Sequence, residues 1–294
     1  MKKKFKIIKK CQISGERDLK KILSLGFLPP VNKLNKIGKK PNGKDLFPAD
    51  LMYSEKSKLV QINTIVDKKI LFPKSYPYTS STTKILRDNF KELYQECSHL
   101  INPSTKDLIV DIGSNDGNLL SNFQKKHKVL GITPEKIGNL ANKKGIKTLI
   151  RYFDNETSNY ILKKFGRAKI ITATNVFAHI ENINDVVKNV LKILDDDGVF
   201  ITESHYLVTL IKQLQYDTIY HEHLRYYSLL SLKYLFDRHN LSIFHAKKIS
   251  THGGSIRVYV ARKGKFKTQQ SVKKIISQEK NFLNWKNFKK FRHN

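Results

Sequence analysis

Residues 107–117 read Asp-Leu-Ile-Val-Asp-Ile-Gly-Ser-Asn-Asp-Gly. The first five form a short apolar run between two acids, the pattern of a buried strand. The remainder is a glycine turn, in which Gly113 and Gly117 allow a tight reversal and close backbone approach to a ligand. A helical stretch follows over 118–126, then a strand at 127–132 and a helix over about 135–144. Further on come a strand at 147–150, a helix over about 156–165 and a strand at 169–174. A helix over 184–194 ends at an Asp-Asp-Asp-Gly turn, and a strand occupies 198–203. Strands alternating with helices predict an α/β fold with a parallel sheet and crossover helices. Strands at 241–245 and 255–261 complete it.

Upstream, Leu86, Phe90, Leu93, Tyr94 and Cys97 recur at helical spacing between Thr82 and Leu100. Residues 11–80 hold most of the prolines and several glycines, which gives short strands and loops, with one strand at 58–62. Residues 263–294 read as a basic helix with Val272, Ile275, Ile276, Phe282 and Trp285 on its apolar positions. There is no internal repeat.

The chain has 294 residues, enough for one large or two modest domains. Hydrophobic residues make up 39%, too many for a disordered chain. No window approaches a membrane-spanning length of apolar residues, and the basic start lacks the apolar core of a secretory signal. These features point to a cytoplasmic protein with no membrane partner. Two cysteines, Cys11 and Cys97, exclude a disulfide framework and a four-thiolate zinc site. The formal charge of +30 suggests a nucleic-acid binder. Yet only nine of the 55 basic residues are Arg, the residue that clamps phosphates and reads bases. Residues 1–10 and 263–294 together supply +15 of that charge. A Lys-, Asn- and Ile-rich composition is also what an AT-rich genome produces, so nucleic acid is disfavoured as a partner.

The glycine loop is neither a GxGxxG nor a phosphate-binding GK[ST] loop. Asp111 ahead of it and Asn115-Asp116 within it suit a cationic ligand better than a pyrophosphate. S-adenosylmethionine, with its ammonium and sulfonium centres, fits that description; an ordinary glycine turn is the bland alternative.

The stretch VDIGSNDGNLL (110–120) resembles motif I of class I S-adenosylmethionine-dependent methyltransferases. Its GSNDG form resembles the sugar C-methyltransferase family, whose members methylate carbon 3 of nucleotide-activated 4-keto deoxysugars. Further matches follow the family's order: YPYTSS (76–81), NVFAHI (175–180), DTIYHEHLRYYS (217–228) and HGGSIRVY (252–259). The resemblance implies a seven-stranded Rossmann-like sheet. It divides the chain into a small irregular amino-terminal domain (1–81), a cofactor-binding domain (82–262) and the start of a carboxyl-terminal domain (263–294). It implies S-adenosylmethionine as cofactor and a nucleotide-linked sugar as substrate. The cofactor would be held by Asp111, Gly113, Asn115, Asp116, Gly117, Thr133 and Asn175.

Methylating a carbon next to a ketone requires a base, a group that stabilises the enolate oxygen, and a methyl donor in line with the new carbanion. Tyr220-His221-Glu222-His223 offers matching types: His as base, Tyr as oxyanion donor, and Glu to orient an imidazole. In an extended segment His221 and His223 would share one face, with Glu222 on the other. The resemblance assigns active-site roles to Tyr220, Glu222 and His223, with His223 as base. It adds His179 from NVFAHI, and Tyr78 with Tyr76 from the amino-terminal side. Tyr226 and Tyr227 read as packing residues. His252-Gly253-Gly254 is either a plain turn or, by resemblance, a neighbour of the active site. A metal pair at His221 and His223 has no evident third ligand.

Three departures from the family stand out. Its two CxxC pairs correspond here to Cys11, Ser14, Ser54 and Ser57, and neutral hydroxyls cannot replace thiolates around zinc. The expectation is a site without metal. Thr133 stands where class I methyltransferases place a ribose-binding acid, with Glu135 nearby to compensate. The family also continues into a further domain; the resemblance therefore implies a missing domain or a partner chain, and a helix at 263–294 whose Phe282 and Trp285 need a partner surface. The rivals are methylation of another small molecule, a non-catalytic binding subunit, and an RNA methyltransferase.

Overall fold

The computed structural model describes residues 4–32, 37–38, 45–71 and 79–293. Tyr76 and Tyr78 lie outside the described residues. The amino-terminal unit holds β1 (Phe5–Ile7), β2 (Leu19–Leu28), β3 (Phe47–Ser54), β4 (Val60–Ile62), β5 (Thr64–Val66) and the short α1 (Lys68–Leu71). Then come α2 (Lys84–Leu100), β6 (Leu108–Ile112), β7 (Lys128–Thr133), α3 (Gly138–Lys143), β8 (Thr148–Ile150), α4 (Asn155–Phe165) and β9 (Ala168–Thr174). The chain continues through α5 (Ile183–Ile193), β10 (Leu194–His205), α6 (Leu207–Lys212), β11 (Arg225–Tyr226) and α7 (Leu229–Asp237). It ends with β12 (Leu241–Ile249), β13 (Ser255–Arg262), α8 (Gln270–Phe282) and α9 (Trp285–His293).

The central sheet has seven strands in the order β12-β13-β10-β9-β6-β7-β8. β6 to β10 are parallel, while β13 runs antiparallel to both β10 and β12. This is the Rossmann-like α/β sheet expected from the alternation. β6 is buried along its whole length, as a central strand covered on both faces must be. α5 buries Ile183, Val186, Val187, Val190 and Ile193, the one-faced spacing of a crossover helix. Asp154 caps α4 by accepting from Thr157 N at 2.9 Å, and Ser228 with Ser231 forms a reciprocal capping box on α7.

A second, antiparallel sheet runs β11-β4-β3-β2. Its edge strand β11 lies in sequence between β10 and β12 of the seven-stranded sheet, and Arg225 pairs with Gln61 and Tyr226 with Val60. The two units are thus stitched by main-chain pairing.

Four local expectations are corrected. Residues 118–126 form a 3-10 turn at Leu120–Asn122 flanked by other turns, not an α-helix. Ser121 Oγ donates to Asn118 O at 2.7 Å, and Asn122 Nδ2 donates to Asn118 O and Leu119 O, both at 3.1 Å. Short polar side chains here compete for the carbonyls a helix would use. The second helix is shorter than 135–144, covering Gly138–Lys143. The Asp-Asp-Asp-Gly stretch is no turn: β10 starts at Leu194 and carries a register shift between Leu194 and Val199. Finally, 263–294 forms two helices, broken where Asn284 Oδ1 accepts from Asn287 N at 3.1 Å. Their apolar side is covered by the chain itself. α8 lies on α7 and β12, and α9 on β2 and α6. Phe282 and Trp285 pack against the main core, and the Trp285 indole N–H donates to Glu55 Oε1 at 2.8 Å.

The four positions corresponding to the two CxxC pairs converge. Ser54 Oγ donates to Asp18 Oδ2 at 2.7 Å, and Ser57 Oγ donates to Ser54 Oγ at 3.0 Å. Cys11 Sγ lies 3.1 Å from Ser57 Oγ, whose proton is already committed, so the thiol donates. Ser14 N donates to Cys11 Sγ at 3.5 Å. The result is a hydrogen-bond chain with one direction, ending on the Asp18 carboxylate.

Candidate active site

The order of the parallel strands reverses at β6, which has β7 on one side and β9 on the other. Open α/β sheets bind ligands outside the carboxyl ends of the strands at such a switch point. An open cavity of about 2070 Å³ lies there. That exceeds the roughly 300–1,000 Å³ of a usual single-ligand cleft, so a cofactor and a substrate fit side by side. Its far wall comes from the amino-terminal unit, including Phe5, Val66, Lys68 and Leu71. Lys68 Nζ sits 4.0 Å from the Tyr152 ring centroid and bridges the two walls.

On the sheet side, Asp111, Gly113, Ser114 and Asn115 line the cavity after β6. Gly113 has φ +78°, and a Cβ there would meet the Val176 side chain at 2.8 Å. Only glycine lets the turn pass that close. Asn115 adopts φ +50°, and its Oδ1 accepts from Ser80 N and Asp116 N, both at 3.0 Å. Burial pushes the Asp111 carboxyl up to about 7, partly countered by the Thr172 hydroxyl, 2.6 Å from Oδ1. A buried carboxyl of this kind suits a cationic ligand. Thr133 and Glu135 line the next stretch, and burial raises the Glu135 carboxyl. Asn175 follows β9 with φ +55°.

Asp116 and Gly117 are not among the lining residues. Burial works against the Asp116 charge, but hydrogen bonds from Ser81, Ser80 and Lys144 outweigh it and hold the carboxyl below its ordinary range. Asp116 pins the loop to the segment ahead of α2. Gly117 has φ +80°, and a Cβ there would meet Ala141 Cβ at 2.9 Å.

Another part of the cavity lining gathers imidazoles. His223 Nδ1 lies 2.8 Å from Thr218 O, a carbonyl that can only accept. Nδ1 therefore carries the proton, and Nε2 presents its lone pair to the Tyr220 hydroxyl at 3.1 Å. The two rings overlap at 4.1 Å between centroids, and His179 stands edge-on to His223 at 5.0 Å. Burial, and then the neighbouring His179, lowers His223 to about 3; burial lowers His179 to about 4. Both rings are neutral near pH 7. Burial raises the Tyr220 hydroxyl to about 12, helped by Glu222 and Asp217.

Residues 220–223 form a turn, closed by His223 N donating to Tyr220 O at 3.0 Å. The shared face expected for His221 and His223 is thereby corrected, because a turn breaks the two-residue alternation of a strand. His221 points to Pro48 O at 3.0 Å and packs on Phe47, away from His223. The buried Glu222 carboxylate accepts from Asn32 Nδ2 of the amino-terminal unit, and its backbone takes part in a hydrogen bond with His179.

Sequence reasoning missed several lining residues. Tyr152, Phe153 and Asp154 follow β8, and His205 ends β10. The carboxyl-end rule, applied to every parallel strand, would have found them. His205 Nε2 lies 2.7 Å from Gln215 Oε1, and Gln215 Nε2 donates to Gly253 O at 2.8 Å. This brings His252, in a left-handed conformation at φ +53°, to the cavity wall.

Residues 11–72 match a family described as a putative zinc binding domain. The donors at the corresponding positions are one thiol and three neutral hydroxyls, which do not fit tetrahedral Zn²⁺. The chain is 33% identical over 256 residues to the C-methyltransferase NovU of Streptomyces niveus. The match takes in 86% of this chain and 61% of that protein's length. Among solved structures, an S-adenosylmethionine-dependent methyltransferase from Clostridium acetobutylicum is similar at 16% identity and a TM-score of 0.48, over 63% of this chain and 94% of that one. The magnesium protoporphyrin IX methyltransferase of Synechocystis, with bound SAH, is similar at 13% identity and a TM-score of 0.47, over 60% and 83%. A model described as a methyltransferase domain matches residues 83–246, more than half of the chain, and spans the switch-point crevice and the His179 turn. The chain belongs to the methyltransferase-domain family.

Proposed function

We propose that this chain is an S-adenosylmethionine-dependent C-methyltransferase that acts on a nucleotide-activated keto sugar through an enolate. The observation that carries the reading is one cavity lined by two chemically distinct groups of residues. A buried carboxyl and a glycine turn line it on the sheet side, and a neutral imidazole–phenol pair lines it as well. Asp111, Gly113, Asn115, Thr133 and Asn175 would hold the cofactor, with Glu135 at the ribose end. When bound, S-adenosylmethionine supplies an activated methyl group for the substrate carbon.

The remaining work falls to this chain's own side chains. Nε2 of His223 takes the proton from the carbon next to the ketone, and Thr218 O holds the other ring nitrogen in the required tautomer. The Tyr220 hydroxyl turns from Nε2 to the developing enolate oxygen as a neutral donor. A base held to about 3 is weak, so a positioned negative charge must stabilise its protonated form. The enolate oxygen that forms beside it supplies that charge. The 33% identity to a C-methyltransferase supports carbon as the methyl acceptor.

The test is incubation with methyl-labelled cofactor and a panel of nucleoside-diphospho-4-keto-6-deoxyhexoses, with the product read by NMR. The expected product carries the label on carbon 3. Label on oxygen or nitrogen, or transfer only to unrelated small molecules, overturns the assignment to carbon.

A further inference from the structure

We infer that Arg225 is the positioning residue that fixes the His179 turn against the His223 segment and ties both to the amino-terminal unit. The inference rests on the reading of those imidazoles as the reactive part of the cavity. Arg225 lies on β11 and is fully buried, yet among the described residues no carboxylate forms an ion pair with it. Its planar fork is spent on uncharged acceptors instead. Nε donates to the Tyr227 hydroxyl at 2.9 Å. One terminal nitrogen donates to Glu181 O at 3.3 Å and to Gln12 Oε1. The other donates to Phe177 O at 3.5 Å and to Ile180 O. Three of these carbonyls bracket His179 on both sides.

The lock is double. Leu224 N donates to Ala178 O at 3.1 Å, a direct main-chain link between the residues adjoining His223 and His179. Gln12 is held in turn, because its N donates to Gln61 Oε1 at 2.8 Å and its Nε2 donates to Leu224 O at 3.2 Å. Gln12 sits between Cys11 and Ser14, so the converged Cys–Ser cluster becomes the outer anchor of the same network. A guanidinium can serve acceptors in several directions of one plane; an ammonium is a compact point charge and cannot. The buried cation also helps to keep His179 neutral. The price of burying an unpaired charge makes sense where geometry must be held closely.

The test uses Arg225→Lys, with histidine-selective ¹⁵N labelling and no substrate. A folded variant with wild-type cofactor affinity is expected to show shifted ring resonances for His179 and His223, with the half-exposed His127, which lies outside this network, unchanged. Its kcat for methyl transfer is expected to fall about 100-fold, the scale of a misplacement near 1 Å, with KM for the cofactor unchanged. Unshifted His179 and His223 resonances in the folded variant overturn the inference, whatever the activity. If Arg225→Lys does not fold, Gln12→Leu removes one acceptor and leaves the cation; the same two resonances then move or the inference falls. Absence of methyl transfer by the wild-type protein bears on the proposed reaction alone.

Discussion

Asp111 carries a cost that its position explains. Burial raises its carboxyl to about 7, so the folded chain holds that proton longer than the unfolded chain does. An acid raised in this way favours the folded state most below its unfolded value. Stability is lost as pH rises from about 4 towards 7, at roughly 1.4 kcal/mol per unit. Asp111→Asn is expected to raise the melting midpoint of the cofactor-free protein at pH 8, with the gain vanishing below pH 4. The same variant should weaken S-adenosylmethionine binding at least about tenfold, the effect of a lost charge-assisted contact. Calorimetric scans across pH check the first part and titration the second. The turn that carries Gly113 and Asn115 was legible because a strand-to-helix turn announces itself in sequence, whereas Thr133 and Asn175 were reached only through the family resemblance. The aim of His221 was not, since a single turn at 220–223 redirects the side chains. Asp116 had the same composition as a ligand-binding loop residue, but its role as a pin depends on Ser80 and Lys144 arriving from elsewhere.

Elements of strong periodicity were read correctly, and elements decided by competition for backbone groups were not. α2, α4, α5 and the parallel strands follow their apolar spacing. The turns at 118–126 follow instead from Asn and Ser side chains taking carbonyls, which periodicity does not register. α8 shows how one element serves another. Its buried Glu279 accepts from Leu229 N at 2.7 Å and Leu230 N at 2.8 Å, donors at the start of α7 that have no intrahelical acceptor. A carboxylate at a helix amino terminus also meets the positive end of its dipole. Glu279→Ala leaves two buried N–H groups without their acceptor, so a loss of about 2–4 kcal/mol is expected. Urea unfolding checks it, and a change below about 0.5 kcal/mol would contradict the capping role.

At the scale of the whole molecule, the sequence showed the layers but not the stitching. A two-residue edge strand such as β11 is too short to detect by alternation. The docking of 263–294 on β2 and α6 depends on surfaces distant in sequence. Burial also lowers seven imidazoles: His179, His205, His221, His223, His239, His245 and His252. A base lowered in the fold contributes stability above its unfolded value near 6.5, and that contribution is lost as pH falls towards the folded values. The melting midpoint is therefore expected to drop steeply between pH 6.5 and 4, steepened by self-repulsion in a chain of net charge +30. Circular dichroism melts check this, and a flat profile over that range contradicts it. Lysine is most of the basic complement, and the exposed lysine ion pairs, such as Lys6–Glu181, Lys56–Glu16 and Lys188–Asp185, are each worth little. No helix among the described residues is long and apolar enough to cross a membrane. The central claim is that the Gly113 crevice binds S-adenosylmethionine beside an independent proton-transfer group. Calorimetric titration tests it most directly. One site per chain is expected, with affinity unchanged in His223→Ala although that variant no longer turns over; no detectable heat at millimolar S-adenosylmethionine contradicts the account.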